Sequence, residues 1–149
     1  MYQFVMPLHH VNWSTKSILE GISHKYNPKD IFIITSPKEI VLLNKLLPSW
    51  NIQNCTLFDE DVFFSKVFSL DKKNIIGKIS NNKPNYSPGW LYQQLLKLGA
   101  SDVITNLQEK FLIWDADLLP VESWPLTDNK KTKFALLQDK SSGNLEILN

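Results

Sequence analysis

Short apolar runs separated by amphipathic segments constrain this chain more than any other feature. Gln3 to Leu8, Ile31 to Thr35 and Ile52 to Phe58 are each too short for a buried helix and read as strands. Between the first two, Asn12 or Ser14 can cap a helix from about Thr15 to Tyr26, whose Ile18, Leu19 and Ile22 keep helical spacing. Asn27-Pro28-Lys29-Asp30 reads as a turn. Ser36-Pro37 opens a second helix, with serine as cap and proline at the first helical position. That helix carries Ile40, Leu43, Leu46 and Leu47 and is expected to stop at Pro48. Strands alternating with helices predict an α/β protein with a mostly parallel, Rossmann-like sheet and helices on its faces.

The second half is less regular. Asp71 to Tyr86 is polar and rich in Asn and Lys, and reads as a long loop with a short strand at Asn74 to Ile79. Ser87-Pro88 starts a helix from Gly89 to about Leu98, ended by Gly99, with Leu91, Leu95 and Leu98 as the stripe expected to pack on the sheet. Phe111-Leu-Ile-Trp114 then reads as a further buried parallel strand. Lys133 to Gln138 and Leu145 to Leu148, joined by residues 139–144, are expected to form a C-terminal β-hairpin.

Composition removes several function classes. A length of 149 residues predicts a single domain over residues 1–149. The formal net charge is +1, which sets up no bulk field for nucleic acid or an anionic membrane. All sixteen basic residues are lysine, which argues against bidentate phosphate or base recognition. No nucleic-acid partner is therefore expected. Cys55 is the only cysteine, so neither an intrachain disulfide nor a thiolate zinc site can form, and it reads as a core residue of an apolar strand. The start of the chain lacks the pattern of a signal peptide, and no run reaches the roughly 18 apolar residues of a membrane span. The expected setting is cytoplasmic. The five glycines are scattered, which excludes P-loop and dinucleotide-fingerprint sites, and no Gly-x-Ser-x-Gly elbow is present.

Two constellations are left. The run Phe111 to Trp114 leads straight into Asp115-Ala-Asp117. Ionised carboxylates do not sit unpaired in a core, and ligands of open α/β sheets bind at the carboxyl ends of strands. Two acids at this spacing can grip a hard divalent cation and leave coordination positions for water and phosphate oxygens. They can equally be solvated loop acids or caps of the turn at Leu118 to Val121. The second constellation is the helix after Ser87, where Trp90, Gln93 and Lys97 fall along one line and offer an aromatic plane, an amide and a cation. A plain amphipathic helix with a solvated face fits the same pattern. His9, His10 and His24 lack a completing ligand set and read as surface histidines. Asp59-Glu60-Asp61 reads as a solvated turn or a helix start, where acids suit the helix dipole, and Lys130-Lys131-Thr132-Lys133 as a solvated basic loop.

Gly89-Trp90-Leu-Tyr-Gln93-Gln94-Leu-Leu-Lys97-Leu98, followed by Trp114-Asp115-Ala-Asp117, resembles the GT-A nucleotide-diphospho-sugar glycosyltransferases, in particular bacterial, viral and algal members with this helix upstream of the acids. The likeness extends over about Gln3 to Leu126. The resemblance implies transfer of a sugar from a nucleoside diphosphate to an acceptor hydroxyl on a glycan or another molecule, with Mn²⁺ or Mg²⁺ as cofactor. It implies that Asp117 binds the cation and that Asp115 touches the metal or the ribose. It places Leu8, His9 and His10 beside the nucleotide base, and Trp90, Gln93, Gln94 and Lys97 along the donor pocket.

Such enzymes usually continue well beyond the Asp-x-Asp, and the downstream half supplies the acceptor site and the catalytic base. Only about thirty residues follow here, without a histidine, so no catalytic base is assigned. The expectation is the N-terminal, donor-binding part of such an enzyme. The alternative is a catalytically inactive or partial module that binds a nucleotide or a protein partner. A phosphatase-type use of Asp115 as nucleophile ranks lower, because the motif comes late in the chain and Leu119 stands where such enzymes carry Thr or Val.

Overall fold

A computed structural model describes residues 1–82, 85–128 and 131–132. The chain runs β1 (Gln3–Pro7), α1 (Thr15–Tyr26), β2 (Asp30–Thr35), α2 (Pro37–Ser49) and β3 (Cys55–Asp59). Then follow α3 (Ser65–Phe68), α4 (Lys72–Asn82), α5 (Pro88–Leu98), α6 (Ala100–Val103) and β4 (Leu112–Ile113). A two-residue antiparallel pair, β5 (Thr127–Asp128) with β6 (Lys131–Thr132), ends the described part. The hairpin expected over 133–148 lies outside the described residues.

Four strands form one sheet in the order β3-β2-β1-β4, and every pairing in it is parallel. Side chains alternate between its faces, and both faces are covered. Phe4, Met6, Ile31 and Ile33 pack with Ile18, Leu19 and Ile22 of α1 and Leu43 and Leu47 of α2. Val5, Phe32 and Ile34 pack on the other side with Phe63, Phe64, Tyr92, Leu96, Ala100 and Ile104. Burial on both faces is why β1 and β2 read as unbroken apolar runs rather than alternating ones. The fold is α/β and Rossmann-like.

Local chemistry explains the boundaries. Ser36 caps α2 by accepting from the Glu39 N–H, and Ser87 caps α5 by accepting from the Trp90 N–H. At the start of α1 the work of a cap falls to Asn12, whose side-chain oxygen accepts from the Ser14 N–H at 2.9 Å. Pro48 does not stop α2, which runs on to Ser49: its missing N–H costs the last turn one bond, but the Trp50 N–H still closes on Leu46 O at 2.9 Å. The third strand begins at Cys55 rather than Ile52; Ile52 is buried as a loop residue closing on α2 through its N–H to Leu47 O.

Three expectations are corrected. Residues 72–82 form helix α4, not a loop with a strand. Asp71 starts it by accepting from the Asn74 N–H at 2.7 Å, a bond that also holds its carboxyl below the usual range. The sheet-facing stripe of α5 is Tyr92 and Leu96, whereas Leu95 and Leu98 are exposed. Those two leucines instead edge an apolar surface groove with Phe64, Phe68 and Ile79. Finally, β4 is a short edge strand, with Leu112 half-buried and Ile113 exposed, because among the described residues no further strand covers its outer side.

Gly99 joins α5 to α6 where no side chain fits. A Cβ there would lie 2.5 Å from Cε1 of Phe64, a buried ring packed edge-on against Phe63 and Tyr92. Gly99→Ala is expected to cost about 2 kcal/mol by overpacking, as measured by urea denaturation.

Candidate functional site

The strand order reverses beside β1, which has β2 on one side and the late strand β4 on the other. Open α/β sheets bind ligands in the crevice outside the carboxyl ends of strands at such a switch point. Here that crevice lies between the residues after β1 and the residues after β4. It is a cavity of about 470 Å³, floored and walled by Leu8, His9, His10 and Asn12 from the first connection and by Asp115, Ala116 and Asp117 from the last. Helix α5 closes a third side with Trp90, Gln93, Gln94 and Lys97. All nine residues singled out from the sequence therefore line one cavity. His24 is exposed in the last turn of α1, apart from that cavity.

Each wall is held in place by identifiable bonds. The Trp114 N–H bonds to Val5 O, and the Trp114 ring meets Phe4 and Tyr26 edge-on. Its indole N–H reaches Leu118 O at 2.8 Å, and the Leu118 N–H bonds to Asp115 O. The Asp-x-Asp segment is thereby a closed turn seated on the core. Beyond it, Pro120 packs on α1 so closely that a Cβ on Gly21 would stand 2.9 Å from its ring.

The wall after β1 is held by a residue that sequence reasoning passed over. Glu39 is buried, accepts from the Val11 N–H at 3.0 Å, and lies 3.7 Å from His10 Nδ1. Ser36-Pro-Lys-Glu39 has the spacing of a capping box, but this carboxylate turns away from its own helix and ties α2 to the connection that lines the cavity. His9 and His10 lie side by side at the rim, with ring centroids 3.9 Å apart, and both are exposed.

Charge is distributed unevenly. Lys97 Nζ is 2.5 Å from Asp115 Oδ1, with the lysine side chain 14% exposed and the aspartate 47%. The Asp117 carboxylate and the Gln93 and Gln94 amides have no hydrogen-bond or ion-pair partner among the described residues. They are available to a ligand. No group of three or more His, Cys, Asp or Glu among the described residues could hold a metal alone. The donor set therefore fits a hard divalent cation only where a ligand's own oxygens and water complete its shell.

A second compartment of about 500 Å³ adjoins the first and shares Leu8, His9, Trp90 and Gln93 with it. Its far wall is Glu60, Lys72, Ile76 and Tyr92. Glu60 is buried and paired with Lys72 at 2.5 Å, and the Tyr92 hydroxyl donates to Glu60 O. Burial first, and then the neighbouring Glu60 carboxylate, push the Tyr92 phenol well above its ordinary range, so it stays a neutral donor. Of the acidic run Asp59 to Asp61, Glu60 is thus not a solvated turn residue. A cluster of Asp, Glu and Lys in a loop hides that role, since only the fold brings Lys72 back to it.

Cys55 lies away from both compartments, and burial pushes its thiol up to about 12, so it is no nucleophile at neutral pH. No helix among the described residues is long and apolar enough to cross a membrane. In comparison with known proteins, a family model described as a family of unknown function (DUF6492) matches residues 15–140. No curated protein and no solved structure matches the chain.

Proposed function

The chain belongs to that family of unknown function, and we propose that it is the donor-binding part of a metal-dependent glycosyltransferase of the GT-A type. The observation supporting this most is the meeting of three separate segments at the switch point: the end of β1, the polar line of α5 and the Asp115-Ala-Asp117 turn. A sequence-local accident would not bring Leu8, Lys97 and Asp117 into one crevice.

The two compartments suit the two halves of a nucleotide sugar. Asp117, with Asp115 beside it, would hold a divalent cation together with diphosphate oxygens. Such a cation offsets pyrophosphate charge and stabilises a departing nucleoside diphosphate. Lys97 supplies a second positive charge to the same oxygens. Gln93 and Gln94 present amides that can donate to or accept from hydroxyls. The plane of Trp90 and the apolar surface of Leu8 stand at the junction of the compartments, where a base or sugar ring would lie. A sugar would then pass from the diphosphate to an acceptor hydroxyl.

A partial or inactive module that only binds a nucleotide is the second reading, favoured by the pairing of Asp115 with Lys97. Turnover separates the two. A panel of nucleoside-diphospho-sugars is incubated with the protein and Mn²⁺, with and without simple acceptor sugars, and nucleoside diphosphate release is measured. Release from one donor that stops on chelation is the expected result. Joint binding without release from any donor would leave only the binding module.

A further inference from the structure

We infer that Lys97 makes cation binding conditional on the diphosphate: in the empty site its ammonium occupies Asp115, and in the filled site it moves to the phosphate oxygens. The inference rests on the donor-site reading above. It starts from the ion pair between Lys97 Nζ and Asp115 Oδ1 at 2.5 Å. Lys97 has no other partner among the described residues, and its side chain is almost enclosed by the cavity wall. The ammonium therefore sits where a cation held by both carboxylates would have to come.

Charge decides the consequence. Two carboxylates and one ammonium leave the cavity one net negative charge. That is a weak trap for a divalent cation, because the ammonium repels it and already takes one of the two acids. It is also a poor host for a diphosphate, which Asp117 repels. Cation and diphosphate together remove both objections. The cation takes the carboxylates, and the ammonium, released from Asp115, pairs with the added anion. A residue with two anionic partners, of which only one is available at a time, works as an exchange device. Lys97 lies within the last turn of α5, so its stem is anchored while the flexible end swings between neighbours.

Calorimetric titration tests this with Mn²⁺ alone, with each of a panel of nucleoside diphosphates alone, and with metal and nucleotide together. In K97M, Mn²⁺ alone is expected to bind about tenfold more tightly than in the wild type, while the Mn²⁺–diphosphate pair binds at least about tenfold more weakly. K97R is expected to keep the wild-type pattern. Asp115→Asn, which unmasks the ammonium, is expected to bind diphosphate without metal more tightly than the wild type. Opposite signs in K97M are the signature, since a lysine that merely braces the turn would weaken both equilibria. Unchanged affinities, or a loss in both, would overturn the exchange role while leaving the donor site standing. Absence of joint binding in the wild type would remove the donor site itself, and the role of Lys97 with it.

Discussion

Gln3→Leu is expected to lower the unfolding free energy by about 3 kcal/mol. Gln3 is fully buried at the start of β1. Its amide donates to Asp30 Oδ2 at 2.7 Å and to Asn106 O at 3.2 Å, and its Oε1 accepts from the Gln108 N–H at 2.6 Å. Leucine fills the same space and abandons all three groups. An orphaned buried amide costs about 1–3 kcal/mol, and a bond to a carboxylate is worth more than a neutral one. Urea denaturation measures the loss, and an unchanged slope would show that the unfolded state is not what moved. A double-mutant cycle with Asp30→Asn should show coupling, because the two side chains share a bond. A loss below about 1 kcal/mol would show that residues 106–108 are held by something else. Gln3 also bears on the site, since it fixes the segment that leads into β4 and the Asp-x-Asp turn.

Gln3 illustrates what the sequence could and could not reveal. Period and capping made β1, α1, β2, α2 and α5 legible, because both sheet faces are apolar and Ser36-Pro37 and Ser87-Pro88 punctuate the chain. Of the cavity residues, Asp115 and Asp117 were legible as acids after an apolar strand, and Trp90, Gln93 and Lys97 as one helical line, whereas Leu8, His9, His10 and Gln94 entered only through the likeness to the GT-A enzymes. Helix α4 was not legible. It buries no residue fully, and only Ile75, Ile76 and Ile79 interrupt its polar face, so its period is too weak to see. The stripe of α5 was misread because leucines outnumber the one tyrosine. Yet Tyr92 is the buried residue, its hydroxyl paired with Glu60 O. Long-range ties such as Gln3 to Gln108, Glu39 to Val11 and Lys97 to Asp115 have no local signature. They arise only when the sheet brings distant segments together.

Asp117→Ala is the second large effect, on ligand binding rather than stability. The carboxylate has no partner among the described residues, so its removal should shift the unliganded protein by less than about 0.5 kcal/mol. Joint ligation is another matter. A ligand pair present at a hundred times its dissociation constant stabilises the native state by about 2.7 kcal/mol, which is roughly 5–10 °C in the unfolding midpoint of a domain this size. With Asp117 gone, Asp115 is the only acid of the turn, and Lys97 already holds it. The stabilisation should disappear, with at least a hundredfold loss of joint affinity.

The most direct test of the donor site is therefore the thermal midpoint of wild type and Asp117→Ala. It is measured with Mn²⁺ alone, with each of a panel of nucleoside diphosphates alone, and with metal and nucleotide together. The expected result is a rise for the wild type with one nucleotide plus Mn²⁺ that exceeds the sum of the separate rises, absent in Asp117→Ala. No excess with any nucleotide, or an equal excess in Asp117→Ala, would contradict the assignment of this crevice as a metal-assisted diphosphate site.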